Sequence, residues 1–454
     1  MVSPSTQTLP IAKPLHGLTL ALALLSGFSP GQAHAQLYNI TDLGSLGGQR
    51  GSGAYAISAS GRVAGYSFVQ GTNFVHAMVN DRGTVSDLGT LGGTQSLARA
   101  VNASGSVVGW AYPPGLAWQR AFLWREGVMT PLGTLGGDAS DASDINDAGL
   151  VVGSANDALG RDRPFWWRDG VMHDMGTLGG SNGRALAVNS SGDITGTAQI
   201  TGDDEYHAFL TKPGSILYDL GTLGGPASHG HDVNEIFHVC GWSMLRDNSP
   251  PSRGFLWADG VIKSLGTLGG IYSAAFGLND QDQIVGASTR ADEVQVAFLW
   301  HDDQMVDLNT LLPPGHGWLL TSAYDIDEQG AIVGEGVRPD GATRAFLLTP
   351  AVTTSVLPGS AGPALRFAGA APNPVRGAAS FGFELPSAGR ASLVVYDLAG
   401  RSVRELASGW FGAGPQSVPW DGLGESGERL APGAYVARLV TSRGAIAKRF
   451  VVVR

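Results

Sequence analysis

The sequence predicts an all-β protein, a seven-bladed β-propeller of four-stranded blades followed by a small β-sandwich, and three observations carry that expectation. The phrase DLGTLGG or a close variant occurs seven times, at 42–48, 87–93, 131–137, 174–180, 219–225, 264–270 and, decayed to DLNTLLP, at 307–313. The starts lie 45, 44, 43, 45, 45 and 43 residues apart, the period of a four-stranded blade. Glycine is abundant, at 67 of 454 residues, while 43% of residues are hydrophobic and 15% charged. Such a chain is turn-rich yet has the apolar surface to offset its conformational entropy.

Each period supplies its strands in the same order. An apolar-Asn-x-x-Gly-x-apolar-apolar-Gly phrase, as in VNASGSVVG at 101–109 and INDAGLVVG at 145–153, reads as two strands joined by a tight turn. A third strand follows in phrases such as RAFLWR at 120–125 and HAFLTK at 207–212. It is apolar on both faces, with Ala121 and Leu123 pointing one way and Phe122 and Trp124 the other, so it needs a sheet on either side. The fourth strand approaches the next DLG, as in GVMHDMG at 170–176. Seven periods of four give 28 strands.

The ends of the array fit together. LYNITDLG at 37–44 is a fourth strand with no third before it, and RAFLLTP at 344–350 is a third strand with no fourth after it. Antiparallel pairing of 37–44 with 343–349 closes the ring and removes both exposed edges. Two copies break the pattern: Phe237 stands in for the turn glycine of the fifth, and Asn309 and Pro313 interrupt the glycine motif of the seventh.

The flanks differ. Lys13 precedes an apolar run from Leu18 to Leu25, and Ala33-His34-Ala35 offers the small residues a signal peptidase needs, so 1–35 is expected to be a signal peptide cleaved after Ala35. The apolar run is too short to cross a bilayer, and no later segment reaches that length. Residues 36–350 form the propeller, and the small-residue stretch 351–370 reads as a linker. From 371 to 454, six short alternating strands separated by turns make the sandwich: SFGFEL, SLVVYDL, SVRELA, QSVPW, AYVARLV and KRFVVV.

Charge and motif limit the chemistry. The net charge of −10 argues against nucleic acid, and since 371–454 carry ten Lys/Arg against six Asp/Glu, the acidity belongs to the repeats. The single Cys240 makes no internal disulfide and reads as a small buried residue. GTLGG lacks the Lys-Ser/Thr of a phosphate loop and precedes a strand, so its glycines are expected to serve a tight link between blades. The Asp-rich segments 141–147 and 325–330 read as turns that could recruit calcium, but they lack calcium-loop spacing and Asp is favoured in such turns anyway. His229, His231 and His238 match no ligand spacing and read as solvated loop histidines. No nucleophile motif assembles Ser, His and Asp, so no catalytic residue, cofactor or metal is assigned.

Variation between copies points elsewhere. The segments 112–119, 155–163 and 243–252, between second and third strands, differ most and are expected on the same rim as the GTLGG links. Tyr112, Trp118, Trp110 and Trp242 are the candidate ligand-binding residues, suited to stacking on sugars or holding a peptide. The alternative for Trp110 and Trp242, each directly after a repeat glycine, is packing between blades.

The triple of DLGTLGG, IN..G.VVG and HAFLW, repeated over 37–349, resembles the HAF-repeat family of extracellular bacterial proteins, named for the residues seen here as His207-Ala208-Phe209. That resemblance implies location and shape, and no reaction. The order PNP, VYDLAGR, VPWDG, PGAYVARL and KRFVVVR over 371–454 resembles the FlgD-type immunoglobulin-like module and the related sorting domain of type IX secretion; the sorting domain implies passage across the outer membrane through the secretion machinery with possible surface attachment, whereas FlgD-like modules also occur on secreted proteins without that route. The expected protein is therefore a secreted or surface-attached monomer whose propeller loops bind a surface glycan or protein. The competing classes are an exported enzyme acting on glycans and a purely structural envelope component.

Overall fold

The computed structural model describes residues 38–203, 205–246, 252–351, 366–385, 389–397, 402–441 and 444–453. The expected signal peptide lies outside these residues, as do most of 351–370 and the tip of the loop 243–252. No α-helix occurs among the described residues, so none is long and apolar enough to cross a membrane.

Twenty-eight strands form seven blades in the expected order. The third blade is representative: Gly136–Ile145 is innermost, followed outward by Val151–Asp157, Asp162–Arg168 and Val171–Asp174, each antiparallel to its neighbour. A parallel bridge from Tyr206 to Ala227 joins the fourth and fifth blades edge to face into one larger sheet. The seventh blade is completed by the start of the chain. Tyr38–Asp42 pairs antiparallel with Thr343–Pro350, Tyr38 opposite Pro350 and Asp42 opposite Phe346, so the ring closes as the two unmatched phrases require.

Packing between blades follows from the third strands. Ala121 and Leu123 join a cluster with Ile145, Val151 and Phe165 of the next blade, whereas Phe122 and Trp124 face Ala64, Ala77 and Val79 of the preceding one. The phenylalanine at this position is fully buried in six blades, and Met78 takes its place in the first. Truncating one such ring costs about 3–5 kcal/mol.

The recurring polar residues lock blade to blade. On the rim of the Asn turns, Asn102, Asn146, Asn189, Asn234 and Asn279 each donate Nδ2 to the main-chain carbonyl of the equivalent residue one blade on, at 2.9–3.1 Å. Their Oδ1 atoms accept an N–H four residues later, which folds the turn. On the other rim a buried serine does similar work. Ser228 accepts the N–H of Ala208 and donates to the carbonyl of Gly221, and Ser96, Ser140, Ser273 and Ser52 repeat the arrangement. The Ser52 copy spans the closure, receiving Ala345 N–H at 3.2 Å.

The DLGTLGG link carries the chain inward, and its glycines serve distinct needs. Gly221 and Gly224 have φ of +73° and +101°, left-handed values that disfavour side chains. A Cβ on Gly225 would lie 2.5 Å from the Leu245 carbonyl, because the link runs against the end of the second strand. Asp219 caps the turn by accepting Gly221 N–H, and Thr222 closes it onto the Gly225 carbonyl. In the seventh copy Leu308–Leu311 is a 3₁₀ turn, where Asn309 bonds both N–H and carbonyl of Leu320 in place of the lost glycines.

The C-terminal unit is a sandwich of two sheets. Arg366–Arg376, Ala378–Leu385 and Gly414–Trp420 form one, and Gly389–Tyr396, Ser402–Phe411, Gly433–Thr441 and Gly444–Val452 the other, joined where Val375 pairs with Val452. Phe381, Leu393, Trp420, Leu439 and Phe450 fill the space between them. Arg366–Arg376 adds a seventh strand, and it begins inside the stretch 351–370 that reads as a linker.

Candidate functional site

The second-to-third-strand loops and the GTLGG links share one rim: Gly93 N–H bonds the Tyr112 carbonyl, and Leu135 bridges to Asp157. Trp118 stands on this rim with 56% of its surface exposed, beside Leu116 at 49%. Trp110 and Tyr112 meet edge to face, ring centres 5.6 Å apart, and both are half-buried. Trp242 is three blades away in the fifth, half-buried and stacked at 4.1 Å on His229 of its own blade. Three of the four candidates thus belong to the second blade, where Trp110 and Tyr112 touch, and the fourth belongs to a separate stack on the fifth.

Two of the three histidines are not in loops: His229 and His231 lie on the innermost strand Gly224–Val233, whereas His238 does stand in the turn before Val239–Leu245, paired with Asp282 at 2.8 Å across the next blade boundary. The sequence around His229 and His231, SHGHDV, has no apolar alternation because an innermost strand borders the axial channel and not a hydrophobic layer. Burial pushes both imidazoles down to about 4, His229 also feeling Arg184 and His231 feeling His229. They are neutral at physiological pH.

Around the axis, every blade contributes a side chain to one ring. Arg99 of the second blade reaches Asp141 of the third at 3.1 Å, and Arg184 of the fourth is bound to Asp162 at 2.6 Å. Arg184 acts electrostatically on both Asp141 and His229, which carries the circuit to the fifth blade. His231 then packs on Phe276 at 5.3 Å, Phe276 on Tyr324 at 5.5 Å, and Tyr324 on Tyr55 at 4.9 Å. Tyr55 feels the charge of Arg99, completing the circle. Glu335 accepts both Tyr66 and Tyr324 hydroxyls, at 3.1 and 3.0 Å, and these phenols are raised by burial and by that carboxylate.

One residue further along the innermost strands, Asp144, Asp232 and Asp325 form a carboxylate layer. Each is half-buried on its innermost strand. Burial raises Asp144 to about 7 and Asp325 to about 6 and lifts Asp232 well above the carboxylate range, with repulsion from Asp325 adding to it at Asp144 and Asp232, and from Asp327 at Asp325. Each also binds backbone. One oxygen accepts its own blade's next N–H, and the other accepts Val188, Leu278 or Ile57 N–H of the next blade, at 2.8 Å. The Asp325–Ile57 bond crosses the ring closure. Among the described residues, no group of three or more His, Cys, Asp or Glu is placed to hold a metal ion. Beyond the layer, the Asn turns surround a cavity of about 320 Å³ lined by Val101, Ile145, Val188, Glu235 and Asp327.

Sequence reading misses the axial ring, although one signal was present. The position three before the repeat Asn reads Tyr55, Arg99, Ser143, Leu186, His231, Phe276 and Tyr324, with Ser58 and Asp327 in place of Asn in the first and last copies. Its neighbours recur while it does not.

Residues 371–445 match the model of the FlgD Ig-like domain. No curated protein matches the chain. Among solved structures, the chain is similar to PorZ, described as an essential surface component of the type IX secretion system of Porphyromonas gingivalis, with 14% identity, a TM-score of 0.42, and coverage of 88% of this chain and 59% of that one. It is similar to TolB from Acinetobacter baumannii at 10% identity and TM-score 0.38, covering 64% of each chain. Putative TolB from Agrobacterium tumefaciens follows at 15% identity and TM-score 0.32, covering 51% of this chain and 87% of that one. The chain thus spans less than two thirds of the PorZ and Acinetobacter TolB chains.

Proposed function

We propose that the protein is an exported, non-enzymatic propeller that presents its link rim to a surface glycan or protein, and that its C-terminal sandwich serves sorting or anchoring. One observation carries the reading: the recurring Asn, Ser, Asp and Thr side chains are consumed in holding blades and links together, while the rim displays side chains that do not recur. Trp118, Leu116 and Leu159 are exposed there, on loops whose length and composition differ between blades. Large exposed apolar side chains bordered by polar residues suit a binding surface.

The three axial carboxylates are the groups an enzymatic reading would use. Each already holds two backbone N–H groups, which supports a latch between blades over a proton donor. The match of 371–445 to an FlgD Ig-like domain supports the sandwich as a module of exported proteins, and the resemblance to sorting domains supports a type IX route. The test for binding is a glycan and envelope-protein screen of the mature chain beside its Trp118→Ala and Tyr112→Ala variants; unchanged binding in both sinks the rim reading. For export, removing the chain from Arg366 onward is expected to leave the propeller in the periplasm. Undiminished release would sink the sorting role.

A further inference from the structure

We infer that the axial ring, set within the channel between the link rim and the Asp layer, is a binding site for the end of a neutral glycan chain, an inference that rests on the binding function proposed above. The charges of the ring are paired within the protein, Arg99 with Asp141, Arg184 with Asp162, and Glu335 with two tyrosine hydroxyls, and Asp141 Oδ1 is left as a buried acceptor without a hydrogen-bond donor. The site therefore presents no unpaired charge for a ligand to neutralise.

What it offers is a set of half-buried ring faces and neutral hydrogen-bonding groups. Tyr55, Phe276 and Tyr324 form a continuous aromatic arc on three adjacent blades, and His231 extends it to a fourth. Beside the arc, the His229 and Trp242 rings stack on one another, with Tyr206 parallel to His229 at 6.2 Å. Across the axis, Arg99 and Arg184 keep exposed guanidinium groups with N–H donors to spare. Aromatic faces on one side and paired polar groups on the other match a sugar ring, which has an apolar C–H face and a rim of hydroxyls. Because all seven blades surround the axis and the Asp144, Asp232 and Asp325 layer lies beneath, a chain enters by its end.

The experiment is calorimetric titration of the full mature chain with maltohexaose, cellohexaose, chitohexaose, xylohexaose and mannohexaose. At least one is expected to bind. Phe276→Ala and Arg99→Gln are each expected to weaken it by about tenfold or more, ~1.4 kcal/mol, with Val261→Ala, on an exposed outer strand, unchanged; because Arg99 pairs with Asp141, circular dichroism and the melting temperature of each variant check that it is folded. Failure of all five saccharides to bind overturns the axial site while leaving a rim-bound protein partner standing. Loss of binding in Trp118→Ala, with Phe276→Ala and Arg99→Gln unaffected, overturns it and upholds the rim.

Discussion

The imidazole Nδ1 of His207 lies 2.9 Å from a carboxylate oxygen of Asp219, which joins the first residue of the HAF phrase to the first residue of the DLG phrase twelve positions later. The same pair recurs as His76 with Asp87, and Arg163 with Asp174 is its permanently charged counterpart. The co-occurrence of the two phrases thus has a physical basis: the third strand supplies a cation to the acid that caps the turn into the next blade.

This pair titrates. The hydrogen bond to Asp219 raises His207 above its ordinary value, and Asp219, although burial pushes it up, is held below its ordinary value by His207 and Gly221. A raised histidine contributes stability that is complete below its unfolded value, about 6.5, and fades as pH rises through the folded one; the lowered Asp219 contributes above about 3.9 and fades as pH falls. His207→Gln is therefore expected to differ most from the parent near pH ~5–6 and little at pH ~8, by about 0.5 kcal/mol once solvent screening at the exposed Asp219 is allowed for. Denaturant titrations at the two pH values measure it, and a gap that widens toward pH ~8 contradicts the pairing.

The axial acids act in the same direction at higher pH. Asp144 and Asp325 titrate at about 7 and about 6 in the folded chain, and Asp232 higher. Folded protein then binds more protons than unfolded protein from about pH 4 upward, so stability falls as pH rises through that window. Melting temperature is expected to drop between pH ~5 and ~8, and Asp232→Asn, which keeps one acceptor oxygen, is expected to flatten the slope whatever its absolute stability. An unchanged slope in that variant would show that Asp232 is ionised throughout.

The Asn ring predicts a large cost for a small change. Asn189→Ala removes the donor to the Asn234 carbonyl and the acceptor for Asp193 N–H, both buried. Leaving two such groups unpaired costs about 2–3 kcal/mol or more. Chemical denaturation reads it; a loss below about 0.5 kcal/mol would mean the ring is not what locks the blades.

Phe237 predicts a gain. It occupies a left-handed turn position, φ +66°, where most copies have glycine, and its ring is exposed, with Lys212 Nζ 5.7 Å from its centre. Relief of about 1–2 kcal/mol of strain outweighs the extra entropy glycine brings to the unfolded chain. Phe237→Gly is expected to raise the melting temperature, and a fall would assign the ring a packing role.

Most of the fold was legible because the outer three strands of each blade and the links use residues that turns and inter-blade layers demand, repeated seven times. Even the closure was visible, in a fourth strand at 37–44 with no third before it. The axial site was hidden for the opposite reason. Innermost strands border a channel, so stretches such as GGDASDASDI at 136–145 and GGPASHGHDV at 224–233 carry no apolar alternation. In RFAGAAPNPVR at 366–376, small residues and prolines likewise mask a strand that pairs on both sides of the sandwich junction.

Both the rim and the axial site exist only if the ring is closed, so the pairing of Tyr38–Asp42 with Thr343–Pro350 is the point to test. Asn39 and Thr349 are directly opposite one another, at a separation that a disulfide can bridge, with paired strand residues ~4.5–5.5 Å apart. The double variant Asn39→Cys/Thr349→Cys, with Cys240 buried and inert, is expected to form that bridge under mild oxidation, detected by mass spectrometry of the non-reduced digest. Two thiols that remain alkylatable and unbridged in the folded protein would contradict the closed ring.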